Sequence, residues 1–255
     1  MMRRIGVIAL NTFRENLRDK ILYNLLLFSI FLIGSSVVLG KLTINEQHKI
    51  VVDAGLAAIS IVGVIISIFV GIGLVSKEIE RRTIYTIIAR PIRRSDFLLG
   101  KYAGLVTTLA VNLLVMVLVY FAVLWFHHAP IHVSLLQAIQ LMFMEMLIMT
   151  ATALLFSTFT TPSLSAMFTV GIFVLGHLMS DLRGIAEKSS NEVLKMGITG
   201  LYYLSPNLEM FNIKGQAAAG VSMLWSYQAT ATAYGLLYSC LLLAIACAIF
   251  ERRDF

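Results

Sequence analysis

Charge is what this sequence has least of. Only 13% of its 255 residues are Asp, Glu, Lys or Arg, while 58% are hydrophobic and the mean hydropathy is +0.85. Soluble domains carry about 25% charged residues. Half that share, with long uncharged runs, excludes a large-cored soluble domain and points to an all-α polytopic membrane protein. Cysteine is nearly absent too. Cys240 and Cys247 lie in one apolar run, and on a helix they would share a face about 10 Å apart. That is too far for a disulfide, so they read as reduced packing residues with no metal or redox role. Also missing is any G-x-x-x-x-G-K-[ST]: Gly100-Lys101 is the nearest fragment, and Ser95 stands where the first glycine should be. Without that turn the chain has no backbone cradle for phosphates and is not expected to bind ATP itself. H-E-x-x-H and G-x-S-x-G are absent as well, so catalysis is not indicated.

What is there begins with six apolar runs of the length a bilayer needs, about 20 residues as a helix. They span 21–40, 54–76, 102–126, 134–157, 163–180 and 228–250, within one membrane domain covering 1–255. The first starts after a polar, amphipathic lead and lacks a clear small-residue cleavage site, so it reads as a span and not a signal peptide. Basic residues then orient the chain. Residues 1–20 hold five Lys or Arg, 77–101 seven, 158–162 none and 251–255 two. The alternate connections, 41–53, 127–133 and 181–227, hold two, none and four. Fourteen against six puts the first set, and both termini, in the cytoplasm. A net charge of +6 would suit nucleic acid. The basic groups flank apolar runs instead, so membrane lipids are the expected partner and nucleic acid is not.

Three segments are not spans. The lead RRIGVIALNTFRENLRDK places Ile5, Ile8 or Ala9, Thr12 or Phe13, and Leu17 at helical spacing, with Arg4, Arg14, Arg18 and Lys20 largely elsewhere. It reads as a helix in the cytoplasmic interface; a simple topogenic anchor is the plainer reading. Residues 181–227 form a long connection containing Tyr202, Tyr203, Phe211 and Trp225. Ser205-Pro206 predicts a helix start, with a short helix over 207–211 broken at Gly215. Short amphipathic or re-entrant helices against the outer ends of the spans are expected there. Third is KEIERRTIYTIIARPIRRSDFLLGK, from Lys77 to Lys101, which holds seven bases, with Glu78, Glu80 and Asp96 as its acids. Ile84, Ile87 and Ile88 fall on one helical face, and Arg81, Arg82 and Arg90 project around the others. Pro91 stops that helix, Ser95 reads as the N-cap of the next, and Asp96 suits its first turn. The pattern predicts a short rigid cytoplasmic helix presented to a partner; the bland alternative is a topogenic loop.

Two groups of polar residues have double readings. His127, His128 and His132 share a short exterior turn that suits an interface, with a metal site as the second reading, though Pro130 disrupts their stacking. Glu145, the one acid within a run, lies near mid-depth, where a charged carboxylate is costly. It is either a substrate-path or proton-linked group, or an interhelical hydrogen-bonding residue supported by Thr152. His177 reads as a hydrogen-bonded packing residue.

Three patches resemble the permease subunits of ATP-binding-cassette exporters of the type-2 class, near the NosY-like branch. They are NTFRENLRDKILY, KEIERRTIYTIIARPIRRSDFLLGKYAG and LSPNLEMFNIKG. In the second, Arg82 stands where the family often has Gly before Thr83. The resemblance implies two paired six-span permeases, as a homodimer or with a related chain, above two ABC ATPase subunits that carry the ATP and Mg. It implies a coupling helix drawing on Glu78, Glu80, Arg81, Arg82, Thr83, Ile84, Ile87, Ile88, Arg90, Pro91, Arg93 and Arg94. A second contact would lie at Thr160, Thr161, Pro162 and Ser163. The implied home is the bacterial inner membrane. A gradient-driven secondary transporter using Glu145, and a non-transporting membrane scaffold, are the competing functions; the sequence shows no internal repeat of the kind such transporters carry.

Overall fold

The computed structural model describes residues 2–41, 47–80, 93–188, 196–198, 200–202 and 205–252. Every regular element among them is helical, with no strand. In chain order these are α1 (Met2–Asn16), α2 (Lys20–Lys41), α3 (Gln47–Glu80), α4 (Arg94–Phe126), α5 (Val133–Ser157) and α6 (Pro162–Lys188). A 3-10 turn (Glu209–Phe211), α7 (Lys214–Ala218) and α8 (Trp225–Arg252) follow. Six are long and apolar enough to cross a membrane: α2, α3 through Ile72, α4, α5, α6 through Met179, and α8. They occupy the six apolar runs, and the chain is a multi-pass membrane protein.

Local chemistry sets the helix ends. At the start of α6 the Thr161 carbonyl accepts the Ser165 N–H at 2.9 Å. Pro162 is the first helical residue, where its missing N–H costs nothing. At α4 the expectation of a Ser95 cap is corrected. The helix begins at Arg94, and extended Arg93 takes the capping position with no side-chain cap bond. A tertiary tie holds that first turn. The Arg94 guanidinium donates to the carbonyls of Phe250 and Glu251 at 3.3 and 3.2 Å, capping the final turn of α8 with a cation, as its dipole favours.

Helix α5 is the centre of the bundle. Every residue from Met144 to Leu154 is buried, because α3, α8, α6 and α4 surround it, and a helix enclosed on all sides is apolar all round. Lipid offers no hydrophobic force between helices, so close packing through small residues has to hold them. The α3–α5 seam follows that rule: Gly63 lies against Met146, and a Cβ at Gly71 would stand 2.6 Å from that of Ala153. Thr150 and Thr152 turn their hydroxyls back on their own helix, onto the carbonyls of Met146 and Ile148. Thr152 therefore gives Glu145 no support, contrary to the sequence reading, because its own i−4 carbonyl satisfies it locally. The outer faces carry exposed Leu27, Phe31, Leu118 and Leu237. Cys240 also faces outward and Cys247 is half-buried; both are free thiols.

Candidate functional site

Two regions of the bundle carry chemistry. One is the basic end, where α1, the end of α3, the start of α4, the α5–α6 turn and the end of α8 meet. Here α1 lies directly on α4. A Cβ on Gly100 would meet Ile8 at 2.8 Å, and one on Gly104 would meet the Ala9 carbonyl and Thr12 at 2.6 Å. Only glycine admits that approach. Lys101 of α4 stands 3.7 Å from Glu15, and Asn16 donates to the Thr108 hydroxyl at 3.3 Å. The elbow after α1 forms one wall of a 350 Å³ cavity. The cavity is lined by Glu15, Asp19 and Ser163 and by the apolar side chains of Leu25 and Phe69.

The sequence-derived docking residues distribute unevenly over this end. Arg81, Arg82, Thr83, Ile84, Ile87, Ile88, Arg90 and Pro91 lie outside the described residues, as do the side chains of Glu78 and Glu80. Arg93 is exposed at the mouth of α4, whereas Arg94 is tied to α8. Thr160 is half-buried, its hydroxyl on the Phe156 carbonyl at 2.7 Å. Thr161, Pro162 and Ser163 are exposed. The structure thus brings the α5–α6 turn and the end of α1 to one cavity, a juxtaposition invisible in the sequence.

The second region is at mid-depth. Glu145 is twelve residues from either end of α5, or about 18 Å from each. It is 2% exposed, and its Oε1 has no hydrogen-bond partner among the described residues. Across from it on α6, the His177 Nε2 stands 3.6 Å from that oxygen. The ring's Nδ1 lies 3.1 Å from the Phe173 carbonyl. A carbonyl only accepts, so Nδ1 carries a proton. Sequence reasoning named both residues but did not pair them.

The stretch 205–213 is what reaches this depth. Its Leu208 N–H donates to the Gly176 carbonyl at 3.1 Å, next to His177. The approach is close: a Cβ on Gly176 would stand 2.6 Å from Leu208 and 2.8 Å from the Pro206 carbonyl. Two tyrosines of α8 satisfy further backbone groups. The Tyr234 hydroxyl accepts from the Asn207 N–H at 3.0 Å, and the Tyr227 hydroxyl donates to the Met210 carbonyl at 2.7 Å. Irregular backbone survives at such depth only where protein surrounds it. Leu208, Phe211 and Ile213 are accordingly buried. The predicted helix over 207–211 is corrected to a 3-10 turn over Glu209–Phe211, with Leu208 in the capping position. Ser205 makes no cap bond, and its buried hydroxyl has no partner among the described residues. The tertiary bonds to α6 and α8 take the place of helical ones. Nor does Gly215 break a helix, for α7 runs through it.

This stretch and α7 deliver two charges that sequence reasoning missed. Lys214 donates to the Ser60 hydroxyl of α3 at 3.1 Å, and Glu209 accepts from the Asn212 side chain at 3.0 Å. Both act electrostatically on Glu145. At the far end of the bundle His132 precedes α5, its ring 3.1 Å from the position of a Cβ on left-handed Gly220. No group of three or more His, Cys, Asp or Glu among the described residues could hold a metal.

The model of the ABC-2 family transporter proteins matches residues 7–255. The chain belongs to that family. It is the membrane component, the permease, of an ABC transporter, and its family associates with ABC ATPase subunits. No curated protein matches the chain at a significant level. As an ABC-2 permease it combines a six-span bundle, an amphipathic first helix fastened to α4, and a buried stretch between α6 and α8 that carries charge to mid-depth.

Proposed function

We propose that this chain is the permease of an ATP-driven exporter, close to the NosY-like branch of the type-2 class. One membrane domain spans 1–255, with both termini and residues 77–101 in the cytoplasm of a bacterium and 181–227 as the connection on the outer side of its inner membrane, from which 205–213 folds back into the bundle. Two copies, or one copy and a related chain, pair to form the path. Separate ABC ATPase subunits bind ATP and Mg. They dock on Glu78, Glu80, Arg81, Arg82, Thr83, Ile84, Ile87, Ile88, Arg90, Pro91, Arg93 and Arg94, with Thr160, Thr161, Pro162 and Ser163 as the second contact, and α1 lies in the cytoplasmic interface.

The observation that carries this reading is the length of the two helices around residues 81–92. With 34 and 33 residues, α3 and α4 are each about 50 Å long, against about 30 Å of hydrocarbon. Each is therefore long enough to continue beyond the hydrocarbon, and a push on 81–92 would pass directly into two helices that pack on α5. Because α1 is bolted to α4 at Gly100 and Gly104, it moves with that helix. A change in nucleotide state acts on the spans only if the two states contact this surface differently.

Reversing Arg81 and Arg82 to Glu together with Ile87→Asp tests the assignment. The variant is expected to insert normally and to lose copurification with its ATPase and the ATPase activity of the complex. Unchanged association and activity refute the docking surface. A proton-driven secondary transporter is the second reading, favoured by the Glu145–His177 contact; an ATPase that copurifies and is stimulated by the chain excludes it.

A further inference from the structure

We propose that Glu145 and His177 form a proton-binding site that latches the stretch 205–213 to α5 and α6. The Nδ1 of His177 is committed to the Phe173 carbonyl, so a proton bound by the pair can sit only between Nε2 and the Glu145 carboxyl. Either Glu145 is the O–H donor to a neutral ring, or the ring is the N–H donor to a carboxylate. At 3.6 Å the contact is longer than a hydrogen bond, and a shift of less than an ångström completes it. The unpartnered Oε1, buried on every side, has no described alternative donor.

The surroundings make this proton matter. Glu209 of the buried stretch and Lys214 of α7 both act on the pair electrostatically, and the Lys214 ammonium is held on Ser60 of α3. From α4, Tyr102 donates to the Leu147 carbonyl, two residues along α5. From α8, Tyr234 holds Asn207. With Lys214 cationic and Glu209 anionic, the cluster is neutral while the pair keeps its proton. Once the proton leaves, the cluster carries uncompensated negative charge around a carboxylate that is 2% exposed, and buried charge of that kind is costly. The strain falls on the stretch, because His177 adjoins its hydrogen bond at Gly176 and Lys214 ends it. Under the export reading, on which this inference rests for its meaning, the stretch closes the outer side of the bundle, and proton loss loosens that closure.

Amide exchange in the full-length protein, held in lipid nanodiscs without an ATPase and corrected for the chemical rate at each pH, reads the latch directly. In the native chain the exchange of residues 207–213 is expected to rise about tenfold between about pH 6 and pH 9. Glu145→Gln keeps a donor toward Nε2 that cannot ionise, so its exchange should stay flat. Glu145→Ala should exchange about tenfold faster throughout. A flat native profile, a Gln variant that repeats the native rise, or an Ala variant with native protection overturns the proposal. If the Ala variant fails to fold, the isosteric Gln variant decides alone. Failure here leaves the export reading intact, and loss of ATPase association leaves this pH response unaffected.

Discussion

The backbone N–H of Leu208 donates to the carbonyl of Gly176 at 3.1 Å, fourteen residues into α6. An irregular stretch between two spans is therefore bonded into the middle of the bundle, where an unpaired amide would be expensive. That bond depends on glycine for room, and the bonds from Tyr227 and Tyr234 complete the fit. The arrangement turns a long connection into part of the permease's interior.

Gly176→Ala is expected to lower stability by about 1–3 kcal/mol. Its Cβ would press on the Leu208 side chain, which can move, and on the Pro206 carbonyl, which cannot. Gly171→Ala on the same helix meets nothing within 4 Å and should be neutral, or gain about 0.5–1 kcal/mol from helix propensity. Thermal unfolding in one detergent compares them, and equal midpoints would contradict the close approach.

Gly104→Ala should detach α1 from α4. The added methyl would stand 2.6 Å from the Ala9 carbonyl, and the displacement would break the Asn16–Thr108 bond and separate Glu15 from Lys101. Protease cleavage after Arg14 or Arg18 should become several-fold faster, as expected when local opening becomes easier. Gly6→Ala, in α1 itself with nothing within 4 Å, serves as the control. Native resistance in both variants would show that α1 is held some other way.

Much of the bundle could be read from the sequence, since the length of an apolar run and the charge beside it follow from the bilayer alone. The six spans and the amphipathic lead came from that logic. The centrality of α5 could not, because α2 and α5 are both simply apolar on inspection. Glu145 stood out as an acid in oil, yet its partner His177 lies 32 residues away in sequence. Nothing local specifies such a meeting. Glu209 and Lys214 read as loop charges because hydropathy does not register a stretch that folds inward. The failed expectations of a Ser95 cap and a helix over 207–211 share one cause: tertiary bonds, from Arg94 to α8 and from Leu208 to α6, outweighed local capping preferences.

Gln137→Leu should cost about 2–4 kcal/mol. The Gln137 side chain donates to the Met223 carbonyl at 3.0 Å and accepts the Met223 N–H at 2.9 Å, so one amide satisfies both backbone groups of a residue just before α8. Leucine would leave both without a partner, whereas Gln137→Glu keeps only the acceptor and should fall between. Denaturation midpoints in the order Gln, Glu, Leu support the pairing. A leucine variant as stable as the native chain would mean that water replaces it.

The Lys214–Ser60 bond is best measured by a double-mutant cycle. Lys214→Met removes the cation acting on Glu145 and is expected to cost about 1–3 kcal/mol, because a charged donor is lost from the surroundings of a buried acid. Ser60→Ala removes one acceptor and should cost about 1 kcal/mol. Because the two side chains meet at 3.1 Å, Ser60→Ala should cost almost nothing once Lys214 is gone, giving a coupling of about 1 kcal/mol. Strict additivity would mean that Lys214 serves Glu145 alone. The tie from α7 to α3 would then be absent, and the buried stretch would hang on α6 and α8.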